Sequence, residues 1–420
     1  MDSFRLVKNT LLGFVLAASV TAAGCHRAGE SAPQAEAAAA AGMNPAQEAL
    51  RLAILASSDY LLDVCDPDGQ FVYRVNLDPQ AAAMPKYNIL RHAGTIYALG
   101  LIDGYHPNPA VRGTMLRAAE WMKRTSLRPV PNEAGLLAIW SFPAINGSRD
   151  PACAKLGGTG LGLVALMSVE QIAPGTTPVE KMRSLGRFLV FMQRDDGSFY
   201  SKYTPAHGGR DGRWESLYYP GEAALGLLML DVRDPSPLWR ETAIKALLYL
   251  ARSRRGKDQV EADHWSLLAT AQLFSHAAET LSHDEREALV RHAVQVCRSI
   301  LDCRPHFAAR DEAEGSLTPD AITCQTATRL EGLIAALSFL PDDESALRRE
   351  IRQAADGGIA FLANAQIRSG PYRGGMPRRL LTLNPDGAFH FADDRAGEIR
   401  IDYVQHAVCA MIQYDELVRN

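Results

Sequence analysis

Six places in this chain carry the side chains best suited to chemistry: Arg91-His92, Lys155, Tyr218-Tyr219 with Glu222, Asp263-His264-Trp265, Arg329 with Glu331, and Arg400-Ile401-Asp402-Tyr403 with His406. Each falls at, or within about two turns of, the start of an apolar segment that reads as helix. His92, Tyr219, Glu222, His264 and Asp402 are groups of the kind that move protons in general acid–base catalysis. Arg91 and Arg400, with Lys155 as a further cation, suit a substrate carboxylate, Trp214, Tyr219, Trp265 and Tyr403 suit sugar faces, and Asp263 and Glu331 join them as substrate-binding candidates. On a uronate, an arginine beside the carboxylate acidifies the C5 proton and a histidine or tyrosine removes it. Reprotonation from the other face (epimerase) or loss of the 4-linked sugar (lyase) then follows. On a neutral glycan, two carboxylates such as Glu222 and Asp402 would serve a hydrolase.

Structural roles compete for the same residues. Asp263 and Asp402 stand where helix caps stand, Glu222 can answer a helix dipole, and the arginines can lock the acids into a salt-bridge ring. No His/Cys/Asp group has zinc spacing, and neither a phosphate-binding Gly-rich loop nor a Gly-x-Ser-x-Gly turn is present, so neither a metal nor a cofactor is expected.

The elements that must position these residues come in pairs. Hairpins of two helices fall at 45–105, 111–169, 179–230, 238–276, 285–340 and 345–418, each broken by a loop rich in Gly, Pro or polar residues. In each, the first helix carries charges (Arg117, Glu120 and Lys123; Arg348, Arg349 and Glu350), whereas the second is nearly free of them past its first turn. An amphipathic helix lies on a surface and an all-apolar one is buried. Six buried helices ringed by six amphipathic ones predict an all-α (α/α)6 toroid over 43–420, with an open solenoid as the alternative. Parallel inner helices would bring all six polar starts to one mouth.

A motif recurs within the hairpins. Phe188-Leu189 precedes Gln193, Gly197 and Phe199; Phe361-Leu362 precedes Gln366, Gly370 and Tyr372; Tyr60-Leu61 precedes Cys65, Gly69 and Phe71. The spacing resembles the QW repeat of triterpene cyclase and prenyltransferase toroids, where the Gln ties off a helix end and Gly makes the turn after it. The Asp-x-Asp-Asp acid of the cyclases and the zinc pair of the prenyltransferases are missing, so the resemblance implies fold alone. Arg400-Ile401-Asp402-Tyr403-Val404-Gln405-His406 resembles the Arg-x-Asp-Tyr-x-x-x-His run of glucuronyl C5-epimerases among the carbohydrate-active toroids. One residue fewer separates Tyr403 from His406, so the role of the family's histidine does not carry over to His406. The resemblance implies a polysaccharide or oligosaccharide partner. A glycan-binding lipoprotein without activity and a toroid that handles terpenoids or lipids are the alternatives outside catalysis.

With a net charge of −4 and 47% apolar residues, the chain can bury a large core and has no electrostatic case for nucleic acid. Arg5 and Lys8, the short apolar run 11–20 and Ala23-Gly24-Cys25 resemble a bacterial lipoprotein signal over 1–25, although Ala22 stands where that motif usually has Leu. Acylation of Cys25, a flexible linker over 26–42 and a periplasm-facing anchor in the outer membrane are the corresponding expectations. The remaining six cysteines read as small buried hydrophobes, with one disulfide as the alternative.

Overall fold

The computed structural model describes residues 44–84, 86–307, 311–385 and 387–419. The expected signal, Cys25 and the linker lie outside these residues. Twelve helices of 13 to 21 residues or lengths between alternate along the described chain. The odd-numbered ones are α1 (Pro45–Asp63), α3 (Pro109–Ser126), α5 (Val179–Phe191), α7 (Pro237–Arg254), α9 (His283–Asp302) and α11 (Ser345–Ala365). The even-numbered ones are α2 (Ile89–Tyr105), α4 (Leu156–Ile172), α6 (Tyr219–Arg233), α8 (His264–Ala277), α10 (Thr323–Ala336) and α12 (Ile401–Arg419).

Local chemistry starts the outer helices. Asn44 accepts from the N–H groups of Ala46 and Gln47 while Gln47 accepts from the Asn44 N–H, a reciprocal capping box. Ser282 and Glu285 do the same for α9, and Pro45, Pro109 and Pro237 occupy first-turn positions where a missing N–H costs nothing. Among the inner helices Asn88 caps α2 and Asp263 caps α8, and burial holds the ring: α4 is buried without interruption from 156 to 170, and α12 from 401 to 413.

Each even-numbered helix packs on the next, and α12 packs back on α2, so the inner ring closes. The odd-numbered helices surround it. Gly157 at the start of α4 faces Tyr219 and Glu222 at the start of α6, and Gly221 there faces Trp265 and Ser266 at the start of α8. Neighbouring inner helices are therefore parallel, with their N-terminal ends on one side.

Short strands organise the loops on that side, which the helix-only expectation did not include. β1 (Arg74–Asn76) pairs with β9 (Glu398–Arg400). A five-stranded antiparallel sheet runs β2 (Leu127–Pro129), β3 (Leu137–Ser141), β4 (Cys153–Lys155), β5 (Lys202–Thr204), β6 (Gly209–Asp211), and β7 (Thr382–Leu383) pairs with β8 (Phe389–His390). These strands have two to five residues, too few for a period-2 pattern to stand out in sequence.

The repeated Gln works between helices rather than within one. Gln193 Nε2 donates to the Thr242 carbonyl of α7 as well as to Gly197, and Gln366 Nε2 donates to the Ala53 carbonyl and the Ser57 hydroxyl of α1. Gln366 thus fastens the last outer helix to the first. The glycine of that copy is not the one the spacing suggested: Gly370 stands in open space, and Gly374, at φ +83°, brings its backbone against the Ala56 carbonyl where a Cβ would lie 1.8 Å away. Gln366→Ala is expected to leave the Ala53 carbonyl unpaired at the ring seam and to cost about 1–3 kcal/mol, read from the urea midpoint. An unchanged midpoint would remove Gln366 from the closure. The six cysteines among the described residues, Cys65, Cys153, Cys297, Cys303, Cys324 and Cys409, are free thiols.

Candidate active site

The parallel inner helices carry the polar residues to one mouth, where they divide into an ionic half and an imidazole half. In the ionic half Arg400, just before α12, grips Asp402 with two bonds, Nε to Oδ1 at 2.5 Å and Nη2 to Oδ2 at 2.6 Å. Arg91 adds a longer contact from Nε to Oδ2 at 3.4 Å. The Asp402 side chain is only 3% exposed while that of Arg91 is 38% exposed. Burial opposes ionisation of Asp402, but the bonds from Arg400 and the charges of Arg400 and Arg91 outweigh it and hold the carboxyl below its ordinary range. Asp402 is therefore not a free acid or base, which corrects its expected catalytic role. Tyr403 is also tied down: its hydroxyl donates to Glu398 at 2.9 Å and its ring lies under the Arg400 guanidinium.

Glu222 faces Arg91 from α6. Its side chain lies over the Cα of Gly157, where a Cβ would be 1.8 Å from Oε2, so glycine at 157 makes the space for the carboxyl. Oε2 has no hydrogen-bond partner. Burial, against the pull of Arg91 and with the push of Asp263, raises the pKa to about 8. Burial thus favours the neutral, protonated form of Glu222. Since its folded pKa lies above the unfolded value of about 4.3, the folded state holds the extra proton and stability falls as pH rises from about 4 to about 8. Glu222→Gln mimics the protonated form and is expected to flatten that decline in urea unfolding followed across pH. A decline of the same slope in the variant would assign it to another group.

The imidazole half is assembled from three helices. His406 Nδ1–H donates to Glu331 Oε1 at 2.6 Å, joining α12 to α10 across 75 residues of sequence. His264, at the start of α8, stands with its ring centre 5.4 Å from that of His406. Both nitrogens of His264 are buried without a hydrogen-bond partner, and so is Glu331 Oε2. Burial first, then the neighbouring His406, pushes the His264 pKa well below the usual value, so the ring is neutral with its lone pair free. Burial raises the Glu331 pKa against the pull of His406. One donor atom from each of His264, Glu331 and His406 can be chosen so that all three lie within 4.8 Å of one another, a set also able to hold a metal ion. No sequence spacing marks this set, because no two of its ligands share an element.

Three other expectations change place. His92 points to the outer layer: its Nδ1 accepts from the Tyr87 hydroxyl at 2.7 Å and its Nε2–H donates to the Ala118 carbonyl of α3 at 2.9 Å. Burial lowers its pKa to about 4, and it is a satisfied core histidine, not a site residue. Asp263 caps α8 through the Ser266 N–H and forms a buried ion pair at 2.8 Å with Arg254 of α7, so its role is structural. Trp265 is buried behind the imidazoles, with its ring 4.9 Å from His264 and 6.1 Å from His406, and is no exposed sugar platform. Trp214 is 48% exposed beside Tyr219, and with Tyr218 these rings edge the mouth.

No family model and no curated protein matches the chain. Solved structures do match its fold. The cellobiose 2-epimerase of Spirochaeta thermophila superposes with a TM-score of 0.61 at 14% identity, over 90% of this chain and 100% of that one. The chain is an (α/α)6 toroid. An α-1,6-mannanase of Salegentibacter, solved with mannotriose, has a TM-score of 0.55 at 11% identity over 89% and 99% of the two chains. A type II terpene cyclase from Scytonema has 0.51 at 16% over 88% and 98%. These identities speak for the toroid fold alone, and the chemistry rests on the mouth of this one.

Proposed function

We propose that the protein is a carbohydrate-active enzyme that moves a proton at a carbon beside a carboxylate, with C5 of a uronate residue as the reacting centre. The observation that carries this reading is the pair of imidazoles set edge to face 5.4 Å apart, one of them buried, neutral and without a hydrogen-bond partner. A buried polar group left unpaired costs about 1–3 kcal/mol, so two orphaned nitrogens on one ring ask for a functional reason. His264 accepts the C5 proton through its free lone pair. The electron pair left on C5 spreads into the carboxylate, beside which Arg91 places its half-exposed guanidinium. For the C5 epimer a proton must return to the other face of C5, and His406 supplies it from Nε2 while its Nδ1–H stays on Glu331. If the pair instead expels the C4 oxygen, the C4–O bond breaks, His406 protonates the leaving oxygen, and the reaction is a lyase cleavage.

The alternatives fit less well. A hydrolase with Glu222 and Asp402 as its carboxylate pair needs Asp402 free, and Arg400 occupies both of its oxygens. A cavity for terpenoids needs apolar walls where this mouth has arginines, and a glycan-binding toroid needs no titrating pair. A metal at His264, Glu331 and His406 would occupy the His264 lone pair that accepts the C5 proton.

Incubation in deuterium oxide with polygalacturonate, polymannuronate and glucuronate-containing oligosaccharides tests the proposal. Deuterium at C5 supports it. Exchange at C2 of a neutral reducing disaccharide, with none at any C5, would replace it with an epimerase of neutral sugars. The lipid anchor at Cys25 remains part of the proposal, with the toroid on the periplasmic face of the outer membrane. Among the described residues no helix is long and apolar enough to cross a membrane. Cys25→Ala is expected to move the protein to the soluble fraction, and unchanged membrane retention would count against acylation.

A further inference from the structure

On the ionic side of the mouth a pocket of about 500 Å³, with Arg91 and Arg400 in its wall, opens between β1, the start of α2, the loop 146–150 and the end of β4. That is a volume that holds small-molecule ligands. Six cations line it: Arg74, Lys86, Arg91, Arg149, Lys155 and Arg400. The one lining carboxylate is Asp150. On a chain of net charge −4 this is a concentrated reversal of sign.

The backbone makes the reversal costly. Arg74 stands directly opposite Arg400 in the β1–β9 ladder, and Lys155 directly opposite Lys202 in the β4–β5 ladder. Like charges at opposed positions destabilise a sheet pair. Glu398 takes one Arg74 nitrogen at 2.8 Å and Asp402 takes Arg400, but the Arg74 Nε, on a side chain only 10% exposed, has no partner. A buried guanidinium N–H left open beside a cationic pocket is a donor waiting for an acceptor. Burial presses the Lys155 pKa down; Cys153 and Asp150 oppose the shift, and Lys202 and Arg91 add to it.

We infer that this pocket is a second anion subsite, holding the carboxylate of the uronate next to the reacting one, so that the substrate is a polyuronate rather than an isolated acidic sugar in a neutral chain. This rests on the reading of the mouth as a uronate site and adds its neighbour. One carboxylate meets Arg91 and Arg400 beside the imidazoles, and the other meets Arg74, Lys86, Arg149 and Lys155.

Calorimetric titration of the protein with trigalacturonate, trimannuronate, the corresponding monomers and neutral cellotriose tests the inference. One acidic trimer is expected to bind at least about tenfold more tightly than its monomer, since its second carboxylate adds charge-assisted hydrogen bonds. The advantage should shrink between about 50 and 200 mM salt. Lys86→Ala/Arg149→Ala, both at exposed positions, should remove most of that advantage and leave monomer binding beside Arg91 and Arg400 as it was. Arg74→Gln should weaken the trimer alone in the same way. Equal affinity for trimer and monomer, or a double variant that keeps the trimer preference, overturns the subsite. Failure of C5 exchange with trimer preference intact would fall instead on the proton-transfer reading.

Discussion

His264→Phe is expected to abolish C5 exchange and stabilise the protein at the same time. Removing a general acid or base costs on the order of 10²–10⁴ in turnover. The same change replaces two buried, unpartnered nitrogens by carbon among aromatic neighbours, the rings of Tyr218, Trp265 and His406. Relief of that desolvation is worth about 1–3 kcal/mol, so the urea midpoint should rise. His92→Phe gives the opposite pair of results. It strands the Tyr87 hydroxyl and the Ala118 carbonyl, both now bonded to the ring, so the midpoint should fall while exchange by the folded fraction persists. The two histidines are alike in burial and differ only in partners. If His264→Phe lowers the midpoint as His92→Phe does, His264 is a core residue and the proposed chemistry is wrong.

The second large effect separates two arginines. Arg400→Ala leaves Asp402 buried with only the 3.4 Å contact from Arg91, and breaking such a buried pair costs about 3–5 kcal/mol. Arg91→Ala leaves both bonds from Arg400 in place, removes a half-exposed side chain and should cost about 1 kcal/mol or less, yet it deprives the developing carboxylate charge of its partner and should reduce turnover by about 10²-fold or more. Their pH dependence follows from the sign of the Asp402 shift. A carboxyl whose folded pKa is depressed contributes stability above its unfolded value of about 3.9 and loses it as pH falls through the folded value. In Arg400→Ala the depression is largely gone, so acid unfolding should begin at higher pH than in the parent. Arg400→Ala/Asp402→Asn, which removes the stranded charge, should recover part of the loss. No recovery would mean that Arg400 stabilises through its stacking on Tyr403 instead.

Much of the architecture was legible without coordinates, because it rests on local rules. A 3.6-residue apolar period marks a helix whatever surrounds it, and the contrast between charged and apolar members of each hairpin told outer from inner. Burial of α4 and α12 along almost their whole length follows from that contrast. Parallel inner helices then placed Arg91, Glu222, His264, Glu331, Arg400 and Asp402 in one layer. Partners were not legible, since which atom a side chain meets depends on rotation about each helix and on contacts between elements far apart in sequence. Arg91 and His92 are adjacent, but successive helical positions diverge by about 100°, so one faces the mouth and the other the outer layer. His406 could not be assigned from its spacing to Tyr403, and only the approach of α10 gave it Glu331. The cations that line the pocket at the mouth come from two strand ladders, two loops and one helix start, and strands of three residues leave no periodic trace. Sequence alone determined a closed ring of helical hairpins with a polar mouth; tertiary packing decided which polar groups there neutralise one another and which were left unpaired for a substrate.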